Sequence, residues 1–369
     1  MGSVTKVLCF DVDTPFGTSP GGQSVFTRDF VLPLSPAIDT TLATIGPVDQ
    51  ARNDGPKYQS LVASGAMSRR NLALFAWKGR HFAHSHDDFD LIVEQFTSPI
   101  GPMGLPKVTE TPVIGIACYS FWDEMSEKYH IPFNVITRER LGHYRWLVAN
   151  HHSVADKLRR LSPQAEVIVI EQLLDEQTRE ISDHPGNTAL YLGRPDVHQK
   201  GLDLLVKALE TVAIPGLVVE IAGFDENNPR WRRLVRSRRF RCEVRLLGYV
   251  KGTAKALAME RAKVLLVPSR YEGPNLVVLE AASFGVPTVA FDLACFSDRR
   301  DAMILSPEVS AKGFASALER AWFDTALYER ARARCVEFSR AKRGSAQVSA
   351  FREFVEHVVA SESSSRGPR

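Results

Sequence analysis

The feature that most constrains the fold is the regular recurrence of short, β-branched apolar runs between longer amphipathic stretches. The first series reads "KVLCF", "TTLATI", "DLIVEQF", "PVIGIAC", "WLVAN" and "EVIVI", and the second reads "TALYLG", "GLVVEIAG", "VRLLG", "KVLLVPS" and "VPTVAF". Apolar runs of this length, alternating with helical segments, are typical of buried parallel strands in βαβ units. The sequence therefore predicts an α/β fold with two doubly wound, Rossmann-like domains.

The polar stretch "DEQTREISDHPGN" at residues 175–187 separates the two series. We expect an N-terminal domain over 1–175 and a C-terminal domain over 186–340, and a length of 369 residues suits two α/β domains. Residues 341–369 are predicted to form a C-terminal helix that crosses back to the N-terminal domain. The final "SESSSRGPR" is predicted to be a disordered tail.

Composition excludes several classes of protein. A net charge of +3 does not indicate a nucleic-acid partner. The five cysteines form no C-x-x-C pair, so neither a disulfide framework nor a structural zinc site is expected, and a reducing cytoplasm fits best. No apolar run approaches the ~18 residues that a membrane span needs, and the N-terminus shows no signal-peptide pattern.

The stretch "YEGPNLVVLEAASFGVPTVAF" (271–291) follows a predicted strand and contains a predicted helix start. Pro274 is favoured at the first helical position, and the helix is expected to stop at Gly285. Glu280 could accept two ribose hydroxyls, whereas Glu272 lies before the helix on a loop facing a cleft, and neither carboxylate is expected in a core. The free amides at this terminus would bind an anion; they belong to Asn275, Leu276 and Val277.

A second stretch, "ALYLGRPDVHQKGLDLLVKAL" (189–209), reads as strand, loop and helix. Arg194 and Lys200 lie on the loop, and Gly201 directly precedes the helix. Two cations at the end of a strand suit a diphosphate, because guanidinium and ammonium groups form charge-assisted hydrogen bonds to phosphate.

Together the two stretches resemble the C-terminal half of family 4 retaining glycosyltransferases of the GT-B fold, in which two Rossmann-like domains face a cleft. The resemblance rests on "LGR…KGLDLLV" and on "EGPNLVVLEA", which is a Glu-x7-Glu motif. It implies that Arg194 and Lys200 neutralise a nucleotide diphosphate, that Glu272 lies beside the donor sugar, and that Glu280 holds the ribose. The Gly273 turn would bring the backbone close to the donor.

The N-terminal half is similar to the family in "DTPFGTSPGGQSVFTRDFVLPL", where Gly21 and Gly22 would approach the donor phosphates. Two segments depart from the family pattern. After "PVIGIAC", where the family often has a histidine near the donor sugar, this chain reads Cys118-Tyr119-Ser120. Past Glu280, "LACFSDRRD" replaces the usual small-residue turn.

The resemblance implies transfer of a sugar from a nucleotide-diphosphate sugar to an acceptor hydroxyl, with retention of anomeric configuration and without a metal or other cofactor. The acceptor, bound by the N-terminal domain, could be a small molecule, a glycan or a lipid-linked compound. A nucleotide-sugar epimerase and a non-catalytic nucleotide-sugar binder are the alternatives. "FDVDTP", with Asp11 and Asp13, also resembles the motif of haloacid-dehalogenase-like phosphatases, but Pro15 does not fit it.

Three polar segments have other interpretations. The basic run at 230–245 is expected to be a solvated helix face. The basic and aromatic run at 67–82 leaves peripheral contact with the inner membrane face open. The histidines of "HFAHSHDD" are expected on a solvated loop rather than in a metal cluster; they are His81, His84 and His86.

Overall fold

The structure is a computed structural model that describes residues 6–13, 22–34, 38–46, 56–63, 68–174, 186–236, 238–342 and 346–366. The chain divides into two compact units. Met1–Leu173 and Gly344–Arg369 make up the first unit, and Leu174–Arg343 makes up the second. The chain therefore passes between the units twice.

Within the described ranges, the first unit contains a seven-stranded sheet in the order β3-β2-β1-β4-β5-β6-β7. All neighbouring strands are parallel. The strands are β1 (Lys6–Phe10), β2 (Asp39–Ile45), β3 (Lys57–Val62), β4 (Leu91–Gln95), β5 (Val113–Ala117), β6 (Trp146–Ala149) and β7 (Glu166–Val169).

The second unit contains, among its described residues, a six-stranded parallel sheet in the order β10-β9-β8-β11-β12-β13. Its strands are β8 (Thr188–Leu192), β9 (Val218–Ala222), β10 (Glu243–Gly248), β11 (Ala262–Val267), β12 (Thr288–Phe291) and β13 (Met303–Ser306). Two parallel sheets with helices between their strands confirm the predicted α/β class with two doubly wound domains.

Helices connect the strands in both units. The first unit has α1 (Gly22–Phe26), α2 (Arg69–Ser85), α3 (Trp122–Tyr129), α4 (Phe133–Leu141) and α5 (His152–Leu161). The second has α6 (Leu202–Thr211), α7 (Pro229–Val235), α8 (Gly252–Arg261), α9 (Leu276–Ser283), α10 (Ala311–Phe323) and α11 (Thr325–Ala341). The last helix, α12 (Ala346–Arg366), belongs to the first unit. After α1 the chain continues through a π-helical turn, Thr27–Val31.

Both faces of each sheet are buried. In β1, Leu8 and Phe10 belong to one apolar cluster and Val7 and Cys9 to another. This alternation explains why the strands read as continuous apolar runs, since helices cover a parallel sheet on both sides. The two strands that the sequence pattern missed, β3 and β13, lie at sheet edges. The first half of β3 is largely exposed, and β13 has only four residues.

Helix α12 packs on the first sheet through Phe351, Phe354 and Val355. Glu362 accepts hydrogen bonds from the side chains of Arg145 and Trp146, at 3.2 and 3.0 Å. The composition predicted a disordered tail from residue 361, but the helix continues to Arg366. Extending an established helix costs far less than starting one, so the packed part of α12 propagates into the serine-rich segment. Residues 367–369 lie outside the described part.

The strand order reverses at the first strand of each sheet. β1 lies between β2 and β4, and β8 lies between β9 and β11. Ligands of doubly wound domains bind outside the carboxyl ends of strands at such a switch point. In the second unit Arg194 follows β8 and Ser269 follows β11, so both segments singled out in the sequence lead to the same point.

Candidate active site

The turn between β11 and α9 carries the Glu-x7-Glu motif. Asn275 caps the helix with a left-handed φ of 51°, and its Oδ1 accepts a hydrogen bond from the Val277 amide at 3.2 Å. The prediction that Pro274 occupies the first helical position is wrong, because the helix begins at Leu276. Asparagine adopts this conformation more readily than most residues and is among the best N-caps. The Val277 amide is already bonded, whereas the amides of Asn275 and Leu276 have no hydrogen-bond partner among the described residues and remain for an anion.

The other end of α9 follows the prediction. The helix ends at Ser283, and Gly285 has a left-handed φ of 66°. Glycine takes this conformation without steric cost, which terminates the helix before β12.

Glu272 and Lys200 form a partly buried ion pair beside Ser269. The Lys200 Nζ lies 2.5 Å from the Glu272 Oε1, and the Ser269 hydroxyl donates to the same oxygen at 2.6 Å. The exposed fractions of the Lys200 and Glu272 side chains are 18% and 5%. Glu272 belongs to none of the core clusters of the described residues, but its side chain is largely enclosed, and the cation and the hydroxyl offset the cost of removing its charge from water.

Gly201 explains why this lysine reaches the motif. Its φ is 63°, and a Cβ built on it would lie 1.8 Å from the carbonyl oxygen of Pro268. Only glycine therefore fits where the start of α6 approaches the end of β11. This close approach brings Lys200 next to Ser269 and Glu272.

The loop before α6 is fixed from the same side by Arg270. Its guanidinium binds both carboxylate oxygens of Asp203, at 2.8 and 2.7 Å. It also donates to the carbonyl of His198 at 3.1 Å, and its own amide donates to the carbonyl of Gln199 at 3.0 Å. Arg194, on the exposed part of this loop, donates to the Gln199 side chain at 3.3 Å. Arg194 forms no ion pair with any residue that the structure describes.

Glu280 lies on α9 and pairs with Lys255 of α8 at 2.5 Å. About a third of each side chain is exposed, 33% for Glu280 and 31% for Lys255. Sequence reasoning singled out Glu280 but missed Lys255, which has no motif around it. The carboxylate is positioned one helical turn beyond the amide end of α9.

The segment "LACFSDRRD" contacts the backbone of the turn between β11 and α9. Arg299 is buried, and its Nη1 donates to the carbonyl oxygen of Pro274 at 3.1 Å. Cys295 is also buried, and burial together with the nearby charge of Glu272 raises the pKa of its thiol to about 12. Sequence analysis noted the segment only as a departure from the family pattern and missed Arg299.

In the first unit, Gly22 starts α1, and Gly21 lies outside the described residues. Asp11 ties this helix to the end of β1, because Ser24 and Thr27 donate hydroxyl hydrogen bonds to its two oxygens at 3.1 and 2.7 Å. Asp11 is fully buried, and burial raises the pKa of its carboxyl to about 6. A carboxylate buried and bonded in this way does not suit the exposed nucleophile of the phosphatase alternative.

A second buried carboxyl, missed by sequence reasoning, lies at the end of β4. Glu94 accepts hydrogen bonds from the Tyr144 hydroxyl and from the Met103 amide, the latter at 2.5 Å. Burial raises the pKa of Glu94 to about 7. The Cys118 thiol, on the segment that departs from the family, lies 3.9 Å from the Gln95 side chain, and burial raises its pKa well above the usual value.

The basic and aromatic run lies mainly on α2, where Trp77 is 66% exposed and stacks on His81. His84 and His86 bond to backbone carbonyls of Val108 and Phe82. Each of the three histidines thus has its own contact, and no group of metal-binding side chains was found among the described residues.

The second basic run contains α7 and β10, and several of its arginines are exposed. In the part of the chain that the structure describes, no helix is long and apolar enough to span a bilayer.

Comparison with known proteins relates this site to sugar-transferring enzymes. Residues 186–324 match the family described as "Glycosyl transferases group 1". The phosphatidyl-myo-inositol mannosyltransferase of Mycolicibacterium smegmatis is 36% identical over 155 residues, which is 40% of this chain and 37% of that protein. The chain thus aligns with little more than a third of the length of this curated relative.

Two solved structures cover nearly the whole chain. Sucrose-phosphate synthase from Thermosynechococcus elongatus has a TM-score of 0.76 at 18% identity, over 97% of this chain and 100% of that one. Anabaena HepE in complex with UDP-glucose has a TM-score of 0.71 at 14% identity, over 96% and 99%. The protein therefore has the GT-B fold, and its residues 186–324 carry the sequence pattern of group 1 glycosyl transferases.

Proposed function

We propose that the protein is a glycosyltransferase that moves a sugar from a nucleotide-diphosphate sugar to an acceptor hydroxyl, with retention and without a metal ion. The observation that carries this proposal is the convergence of Lys200, Glu272 and Ser269 at the amide end of α9. A carboxylate held by a cation, next to free helix amides, suits a sugar joined to a diphosphate.

The diphosphate would lie between Arg194, Lys200 and the two unbonded amides of Asn275 and Leu276. Negative charge grows on the leaving phosphate as the glycosidic bond breaks. Cations and amides fixed in place before the reaction stabilise that charge without reorganisation. In this proposal they provide the charge neutralisation for which other enzymes use a divalent cation.

Glu272 would orient the donor sugar. Lys200 and Ser269 both donate to its Oε1, and no described residue donates to its Oε2, which would accept a sugar hydroxyl. Glu280 would accept the ribose hydroxyls from its position one turn further along α9. Lys255, which pairs with Glu280, would keep that carboxylate facing the nucleotide.

The proposed transfer exchanges one bond for another at the anomeric carbon. The bond from this carbon to the diphosphate oxygen breaks, and a bond to the acceptor oxygen forms on the same face. A phosphate oxygen takes the proton that the acceptor hydroxyl loses. Glu272 then needs no covalent role, and the anomeric configuration is kept.

The names of the related proteins suggest the first compounds to test. The HepE complex contains UDP-glucose, so UDP-glucose heads the donor panel, followed by GDP-mannose because one relative is a mannosyltransferase. That relative's name also contains phosphatidyl-myo-inositol, so the acceptor panel includes lipid-linked polyols beside free sugars. We assign acceptor binding to the first unit.

The test begins with a thermal-shift screen of nucleotide sugars. A ligand at 100 times its dissociation constant stabilises the folded state by roughly 2.7 kcal/mol. The donor that binds is then incubated with and without each acceptor. Consumption only with acceptor supports transfer, consumption without acceptor supports the epimerase, and binding without consumption supports the non-catalytic binder.

Two further measurements examine the mechanism. Proton NMR of the anomeric centre should show the donor's configuration, and an inverted linkage would contradict retention. Addition of a chelator should leave the rate unchanged. Complete loss of activity, restored by Mg²⁺ or Mn²⁺, would contradict the metal-independent mechanism.

A further inference from the structure

A single buried cation anchors the backbone of the motif turn. The Arg299 side chain is 4% exposed, and its Nη1 donates to the carbonyl oxygen of Pro274 at 3.1 Å. Its other nitrogens bind the carboxylate of Asp298 at 2.8 and 3.1 Å. The guanidinium also lies over the Phe338 ring, 4.8 Å from the centroid. Arg299 is therefore fixed on three sides.

The carbonyl that Arg299 binds belongs to the same peptide group as the amide of Asn275. A peptide group is planar, and in the trans form its C=O and N–H point in opposite directions. A hydrogen bond that fixes the Pro274 carbonyl therefore fixes the direction of the Asn275 N–H. A cation on the carbonyl also polarises the peptide, which makes the N–H a stronger donor.

The same cluster reaches the place where the chain leaves the second unit. Lys342 lies 3.6 Å from the Asp298 carboxylate, and its Nζ is 5.3 Å from the centroid of the Phe338 ring. Its carbonyl accepts a hydrogen bond from the amide of Leu174 at 3.4 Å. Leu174 and Lys342 lie at the two ends of the second unit. Arg299, Asp298 and Lys342 thus connect the motif turn to both ends of the second unit.

We propose that Arg299 is a positioning residue that orients and polarises the Pro274–Asn275 peptide, so that the Asn275 N–H donates to the donor diphosphate. Asp298 binds Arg299, and Lys342 pairs with Asp298, so both residues fix the position of the Arg299 side chain. The role toward the diphosphate rests on the proposed function. The orientation of the peptide does not, because it is a property of the ligand-free protein.

The experiment compares Arg299→Gln and Arg299→Lys with Arg300→Gln. Arg300 is adjacent in sequence and also pairs with an aspartate, Asp292, but its side chain is 51% exposed and forms no hydrogen bond to the turn among the described residues. Hydrogen exchange of the Asn275 amide is measured first, without ligand. A cation on the carbonyl makes the unbonded N–H more acidic, so base-catalysed exchange should become slower in Arg299→Gln and stay at the parent rate in Arg300→Gln.

Binding is measured next, with UDP, GDP and inorganic pyrophosphate as probes. Arg299→Gln should raise the Kd of the bound diphosphate roughly tenfold, about the effect of losing one good hydrogen bond. The Kd of the matching nucleoside should not change, because it makes no phosphate contact. Arg299→Lys keeps the charge but not the bidentate fork, so it should restore part of the affinity.

The outcomes separate this inference from the proposed function. If no nucleotide binds the parent, the proposed function fails, and the exchange rates still decide whether Arg299 positions the peptide. If the parent binds UDP or GDP and Arg299→Gln changes neither exchange nor Kd, the inference is wrong. If Arg299→Gln does not fold, exchange and Kd in Arg299→Lys and Asp298→Asn decide the matter, and parent values in both would overturn it.

Discussion

The two sheets have the same order in their first six strands, but the carboxylates at their carboxyl edges have different partners. In the first unit, Asp11 and Glu94 are fully buried and receive hydrogen bonds from hydroxyl and amide groups. In the second, Glu272 and Glu280 each pair with a lysine at 2.5 Å. A buried carboxyl without a close ion pair is driven toward its neutral form, whereas a paired carboxylate is supported in its charged form.

This difference indicates that the carboxylates at the two sheet edges have different roles. Hydroxyl and amide groups around Asp11 tie α1 to β1, and those around Glu94 tie Met103 to β4, so these carboxyls organise backbone. The pairs in the second unit hold charge at the point where the sequence pattern predicts a nucleotide diphosphate. Breaking each arrangement should therefore affect different measurements.

The largest expected effect comes from Glu272→Gln. In the proposed function Glu272 faces the donor sugar, whose charge changes as the bond to phosphate breaks. Removal of the carboxylate should therefore lower kcat by on the order of 10²-fold or more, with little change in donor Kd. It also leaves the Lys200 cation without its partner where only 18% of its side chain is exposed. The free energy of unfolding should drop by about 1–3 kcal/mol.

This loss of stability is expected because only 5% of the Glu272 side chain is exposed, whereas the sequence placed neither carboxylate in a core. Glu243→Gln is the matched control, because Glu243 pairs with Arg245 on the exposed surface. It should change neither kcat nor stability measurably. Donor binding lost and kcat intact in Glu272→Gln would show that the carboxylate serves only the ground state.

Glu280→Gln should act mainly on donor binding. Ribose hydroxyls are held equally in the ground and transition states, so KM and Kd should rise while kcat stays near the parent value. Loss of a charged hydrogen bond costs about 1.5–3 kcal/mol, or roughly a ten- to hundredfold weaker Kd. Titration of the donor against the parent and the variant measures this directly.

Lys255→Gln provides the control for Glu280, because it removes the ion pair and keeps the carboxylate. Both side chains are about a third exposed, so the pair adds at most about 1 kcal/mol to stability. If Lys255→Gln weakened the donor as much as Glu280→Gln, the ion pair rather than the ribose contact would account for the effect.

The buried carboxyls of the first unit should make the free energy of unfolding depend on pH. Burial raises the pKa of Asp11 to about 6 and that of Glu94 to about 7, above the ordinary values of 3.8 and 4.5. Each carboxyl binds its proton more tightly in the folded protein. Its contribution to stability is complete below the unfolded pKa and is lost as the pH rises through 6 for Asp11 and through 7 for Glu94.

Asp11→Asn tests this sign. The amide cannot ionise, and the hydroxyls of Ser24 and Thr27 both donate and accept, so they can adapt to it. The free energy of unfolding of the variant should fall less than that of the parent between about pH 4 and 7, by up to a few kcal/mol. Urea titrations over this range measure the difference, and parallel curves for the two proteins would contradict the assignment.

The sequence predicted the fold well because the signals were local. Every apolar run that it identified lies in a strand, since strands covered on both faces need apolar residues at every position. The edge strand β3 was missed because its exposed first half removes that signal. β13 was missed although it is buried and as long as β6, β7 and β12. The helix at 276–283 was expected, but its start was shifted, because the side-chain cap of Asn275 competes with the helical preference of Pro274.

The candidate site could be predicted only as far as its motif extended. Glu272, Glu280 and Lys200 lie in recognisable segments, whereas Lys255 and Arg299 come from separate helices and loops whose spacing carries no pattern. Their proximity depends on tertiary packing, and in the case of Lys200 on the close approach that Gly201 permits. The ion pair between Lys200 and Glu272 joins two residues that the sequence analysis had assigned to separate tasks.

Ser269→Ala should have the smallest effect, and it tests how Glu272 is held by Lys200 and Ser269. Ser269 is 1% exposed, and its hydroxyl donates to the Oε1 that Lys200 also binds. A hydrogen bond to a charged group contributes about 1.5–3 kcal/mol. Lys200 still holds the carboxylate in the variant, so only part of this is lost in the transition state, and kcat should fall roughly three- to tenfold. Donor Kd should stay at the parent value, because the hydroxyl bonds to Glu272 and is given no diphosphate contact in the proposed function.

Ser306→Ala is the control, since Ser306 is equally buried, lies in β13 of the same unit and donates to the carbonyl of Glu308 at 2.8 Å. It should cost a similar amount of stability and leave kcat unchanged. If Ser269→Ala lowered kcat as far as Glu272→Gln, the hydroxyl rather than the lysine would set the carboxylate's position. Glu272 would then be held mainly by a neutral group, like Asp11 and Glu94, and the proposed difference between the two units would be wrong.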